Sequence, residues 1–68
     1  MTWEELKEEA KKMGYNVFDS VNIKVASWIE TPDNNWCFDR DGTIMYDGLV
    51  VAFDRTPDQM YQIMLALR

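Results

Sequence analysis

The apolar positions of this chain fall into three kinds of pattern, and each predicts a different element. Trp3, Leu6, Ala10 and Met13 recur at helical spacing, with Glu4, Lys7, Glu8, Lys11 and Lys12 between them. Thr2 before this stripe, Glu5 three residues later, lysines in the last turn and Gly14 beyond it are the start and stop signals of a helix. A second stripe, Met60, Ile63, Met64 and Leu67 widened by Tyr61 and Leu65, follows Thr56, Pro57 and Gln59, which supply an N-cap, a first-turn proline and a capping box. This closing helix carries more apolar positions and is expected to be the more deeply packed of the two.

Between the helices the period changes. From Trp36 to Asp54, short apolar, β-branched and aromatic runs are separated by Asp41-Gly42 and Asp47-Gly48, which predicts a meander of consecutive β-hairpins. A three-residue loop Arg40-Asp41-Gly42, with Gly42 left-handed, sets Phe38 opposite Ile44, Cys37 opposite Met45 and Trp36 opposite Tyr46. A two-residue turn at Asp47-Gly48 sets Tyr46 opposite Leu49, Met45 opposite Val50 and Ile44 opposite Val51. Both loops agree on the faces. One face collects Trp36, Phe38, Ile44, Tyr46, Leu49, Val51 and Phe53, the expected core; the other collects Cys37, Asp39, Thr43, Met45, Val50, Ala52 and Asp54.

The stretch from Tyr15 to Glu30 is less regular. Ile23, Val25, Ser27 and Ile29 alternate with Lys24, Ala26, Trp28 and Glu30, and their β-branching favours a strand over about Val21 to Glu30. A helix capped by Asp19 or Ser20, showing Val21, Val25, Trp28 and Ile29, is the alternative. Thr31-Pro32-Asp33-Asn34-Asn35 reads as a loop. The expected fold is therefore α+β: an N-terminal helix, an antiparallel sheet of three to four strands and a C-terminal helix packed on one face, in one domain over residues 1–68.

Composition narrows the function. A chain of 68 residues buries only about 60% of the surface its unfolded form exposes, so most of the sequence must serve the core. No apolar run approaches membrane length, and the opening lacks the basic-then-apolar order of a signal peptide; a cytoplasmic protein is expected. The lone Cys37 suits a reducing compartment. The net charge is -5, with seven acids against three bases over residues 14–55. This balance disfavours a phosphate backbone and favours a protein partner with a basic surface.

Candidate chemistry centres on Asp39-Arg40-Asp41-Gly42-Thr43. The stretch Trp36 to Ile44 resembles the first motif of haloacid dehalogenase-like phosphatases, and the resemblance implies a nucleophile at Asp39, an acid/base at Asp41 and Mg²⁺. That family also needs a downstream lysine, a further acidic pair and a parallel α/β sheet, and nothing after Ile44 supplies them. As a calcium loop the same aspartates fail, because Gly48 stands where a bidentate glutamate is required. No histidine exists for a zinc site or a general base, and Cys37 has no basic neighbour in sequence. The expectation is a non-enzymatic protein with no cofactor. Its candidate interface is Cys37, Asp39, Met45, Val50, Ala52 and Asp54 on the second face of the meander, together with Trp28. A copy of itself in a homodimer, making the chain a self-associating structural module, is the competing occupant of that face.

Thr2-Trp3-Glu4-Glu5-Leu6, Asp41-Gly42-Thr43, Tyr46-Asp47-Gly48 and Asp54-Arg55-Thr56-Pro57-Asp58-Gln59-Met60 resemble a group of short phage and mobile-element proteins of Gram-positive bacteria. The shared elements are mostly caps and turns, and no activity transfers from them. The resemblance implies a setting in which small acidic proteins act by stoichiometric binding. Some of these, the anti-CRISPR proteins among them, inhibit host defence nucleases.

Overall fold

Thr2 and Thr56 open the two helices by the same device. The computed structural model describes residues 1–20 and 26–68. The Thr2 hydroxyl accepts from the Glu5 N–H at 3.1 Å while the Thr2 N–H donates to the Glu5 carboxylate at 2.7 Å. Thr56 and Gln59 repeat this pair at 3.2 and 2.9 Å. Two orphan donors are satisfied at each helix start. Helix α1 spans Trp3–Lys12 and ends at Gly14, whose φ of 83° lets the Tyr15 N–H return to the Ala10 carbonyl. Helix α2 spans Pro57–Leu67.

Five strands lie between them: β1 Asn16–Asp19, β2 Ser27–Glu30, β3 Trp36–Asp39, β4 Ile44–Tyr46 and β5 Leu49–Ala52. They pair in chain order as one antiparallel sheet. The register of β3 on β4 is the expected one, Trp36 with Tyr46, Cys37 with Met45 and Phe38 with Ile44. Gly42 closes that hairpin at φ 99°, and it is also needed for space. A Cβ there would stand 3.0 Å from backbone atoms of Asp54 and Arg55, whose N–H donates to the Gly42 carbonyl. Asp47 and Gly48, both at positive φ, form the primed two-residue turn that matches strand twist.

The core is built on one face only. Ile29, Phe38 and Ile44 from three adjacent strands meet Trp3, Leu6 and Ala10 of α1 and Met60 and Met64 of α2, all buried. Val17, Trp36 and Ala52 are partly buried at its margins. Each fully buried large apolar side chain contributes roughly 1.5–3 kcal/mol, so these few residues hold most of the stability.

Three expectations change. The sheet has five strands rather than three to four, because Asn16–Asp19 pairs with Ser27–Glu30. The early part of the anticipated Val21 to Glu30 strand, Val21 to Val25, lies outside the described residues, while Ser27–Glu30 is a strand and not part of a helix. Second, Tyr46, Leu49, Val51 and Phe53 are exposed rather than core. The extra strand β1 takes α1 to its own end of the sheet, and the helices, about 15 Å long, leave Leu49, Val50 and Val51 of the far strand exposed. A bulge also shifts the register, so that Ile44 pairs with Ala52 instead of Val51. Third, α2 is not the deeper helix: it buries Met60 and Met64, against Trp3, Leu6 and Ala10 of α1, and Leu67 is exposed.

Candidate interaction surface

The face of the sheet away from the helices is set by strand alternation. With Ile29, Phe38 and Ile44 turned to the core, Phe18, Trp28, Glu30, Cys37, Asp39, Thr43, Met45 and Val50 turn the other way. Five of the expected interface residues, Trp28, Cys37, Asp39, Met45 and Val50, are thus brought together. Ala52 is not among them, because the bulge rotates it onto the core side, where it packs against the buried cluster. Asp54 lies past the end of β5 at φ 53°, a left-handed position that aspartate tolerates better than most residues. Two members of the face are new. Phe18 stacks on Trp28 with ring centroids 5.3 Å apart, and Glu30 accepts from the Trp28 indole at 2.8 Å. Glu30 shares the alternation that places Trp28, whereas Phe18 has no signal in sequence, since it belongs to the strand whose polar ends hide it.

The carboxylates here serve local structure. Asp39 accepts from the Asp41 N–H at 3.2 Å, and Asp41 accepts from the Thr43 N–H at 2.9 Å. Both bonds brace the β3–β4 loop, and the Thr43 contacts hold the Asp41 carboxyl below its ordinary value. The strands on either side are antiparallel, so the parallel sheet implied by the phosphatase resemblance is not formed. Among the described residues, no cluster of three histidine, cysteine or acidic side chains could hold a metal ion. Cys37 lies between Glu30 and Asp39; burial first, then these two charges, push its thiol above the usual value. A thiol so held reacts slowly as a nucleophile. Iodoacetamide at neutral pH should therefore alkylate Cys37 in the folded protein more slowly than in the unfolded chain, as read by mass spectrometry.

The largest departure from an ordinary surface lies at β4 and β5. Leu49 is 71% exposed, Phe53 66%, Val51 54%, Val50 45% and Tyr46 43%. On the helix side the core continues outward as an aromatic row. Trp36 stacks on Phe38 at 6.2 Å and meets Tyr46 at 4.8 Å, and Leu49 pairs with Tyr46 beyond the reach of either helix. On the other side Val50 follows Met45. β5 therefore shows apolar side chains on both faces and is the last strand of the sheet. Leu49-Val50-Val51 is a continuous apolar run, the pattern of a buried strand, so the sequence carried no signal for this exposure.

A shallow cleft of about 250 Å³ lies at the end of the aromatic row, lined by Tyr15, Thr31, Pro32, Asp33, Trp36, Leu67 and Arg68. The Asp33 carboxylate in this lining is already engaged by the Thr31 hydroxyl and the Asn35 N–H. No helix among the described residues is long and apolar enough to cross a membrane. No protein-family model, curated protein or solved structure matches this chain.

Proposed function

We propose that this protein acts by stoichiometric binding to another protein, without catalysis, and that the β4–β5 end of the sheet makes the contact. The observation that carries this reading is the exposure of Tyr46, Leu49, Val50, Val51 and Phe53 within eight residues of a chain too small to spare apolar side chains from its core. Aromatic and aliphatic side chains on a rigid strand pair are suited to anchoring a partner, since little conformational entropy is lost when they are covered. The net charge of -5 favours a partner with a basic surface. Inhibition of a host defence nuclease, the most specific form of the proposal, rests on the resemblance to phage-borne proteins together with this charge.

Photo-crosslinking tests the location. A benzophenone analogue placed at Phe53, in cells that naturally carry the gene, should trap a discrete protein adduct that the same group at Glu8, on the solvated face of α1, does not. Equal adduct patterns from the two positions would remove the reading. For the nuclease form, a purified effector whose DNA cleavage is unchanged by a molar excess of the protein would exclude that effector as its target.

A further inference from the structure

We propose that the free edge of β5 is a docking site for an extended segment of another protein, apolar at its centre and flanked by lysine or arginine. This deepens the binding reading above and rests on it. Tyr46 and Leu49 close a two-residue turn and so form a hydrogen-bonded pair; by the alternation of antiparallel ladders, the N–H and C=O of Val50 then point away from β4. An added strand can take up those groups, while its side chains extend the Trp36–Tyr46–Leu49 row on one face and the Met45–Val50 row on the other. The bulge at Val51 bends the edge beyond this point and limits the dock to a short segment.

Charge specifies the flanks. Asp47 precedes β5 and Asp54 follows it, both exposed, and neither forms an ion pair with a described residue. Arg55 comes next, but its N–H is bonded to the Gly42 carbonyl, which draws the chain back toward the loop that carries Arg40. That loop also carries Asp39 and Asp41, so acids outnumber bases at the Asp54 end as well, and both flanks favour a cation. A second copy fits less well. Two-fold antiparallel pairing about Val50 sets Asp47 of each copy opposite Phe53 of the other, one residue from its Asp54, so two carboxylates gather at each end where a lysine-flanked segment would supply the opposite charge.

Fluorescence anisotropy with two labelled peptides tests this, each of alternating valine and threonine, one ending in lysines and the other in glutamates. The lysine-flanked peptide is expected to bind about tenfold more tightly at low salt. Asp47→Asn and Asp54→Asn should each reduce that preference, and asparagine suits the positive φ at both sites, so neither change threatens the fold. Leu49→Lys, at a highly exposed position, should abolish binding of both peptides. Equal binding of the two peptides, lost in Leu49→Lys, would overturn the basic-flank specification and leave the binding reading standing. Failure of both peptides would overturn the docking proposal, whether the protein stays monomeric in sedimentation or forms a dimer that Leu49→Lys dissolves. The Phe53 crosslink judges the broader reading independently.

Discussion

The two edges of the sheet are built to opposite rules. At the β1 edge the strand begins with Asn16 and ends with Asp19, and α1 packs over it. Lys7 of α1 bridges Glu4 and Asp19, the Ser27 hydroxyl donates to Asp19 at 2.6 Å, and the buried Trp3 indole donates to the Ser27 oxygen at 2.9 Å. Its one large exposed apolar residue among the described residues, Phe18, is stacked on Trp28. At the β5 edge only Ala52 reaches the buried cluster, and Leu49, Val50 and Val51 face solvent. Polar and charged groups at an edge deter pairing with another chain, whereas a bare apolar edge invites it. The polar bracing is concentrated at one end of this small sheet and the exposed apolar side chains at the other.

That contrast can be broken most forcefully at Phe38. Phe38→Ala should cost about 3–5 kcal/mol, enough to unfold much of so small a domain, as read by chemical denaturation. Next is Ser27→Ala, which strips the buried Trp3 N–H of its acceptor and should cost roughly 1–3 kcal/mol. A pH profile sharpens the same end. The Asp19 carboxyl is held below its ordinary value by the Ser27 hydroxyl first and then by Lys7. A depressed folded-state pKa contributes stability that is present above the unfolded value, about 3.9, and lost as pH falls through the folded one. Asp33 and Asp41 are lowered too, by Thr31 and Thr43, so acid unfolding below about pH 4 should persist in Asp19→Asn but become less steep. The smallest effect is expected at the other edge: Phe53→Ala should change stability by no more than about 0.5 kcal/mol. A loss at Phe53 comparable to that at Phe38 would mean that β5 belongs to the core after all.

Local signals were the legible part of this fold. The caps at Thr2 and Thr56, the stop at Gly14 and the turns at Gly42 and Gly48 depend on residues a few positions apart, and each forms as its own chemistry requires. The β3–β4 register followed, because loop length fixes pairing. What escaped depends on distant parts of the chain. Val17 and Phe18 lie between Asn16 and Asp19 and become a strand only by pairing with Ser27–Glu30. That one strand changes where α1 sits, and so decides that Leu49 and Phe53 stay in water although their patterning reads as core. Ala52 moved from the candidate interface to the core margin because a bulge leaves no trace in a run of similar apolar residues. Trp28, Cys37, Asp39, Met45 and Val50 were legible as one face, since alternation alone places them.

Residue-resolved hydrogen exchange tests the asymmetry most directly. At a concentration where the protein is monomeric, the amides of Ile29, Phe38 and Ile44 should be strongly protected, and the Val50 amide should exchange nearly as fast as in an unfolded chain, although it lies within a strand. Protection of Val50 equal to that of Phe38 would show that something already covers the β5 edge and would contradict the account.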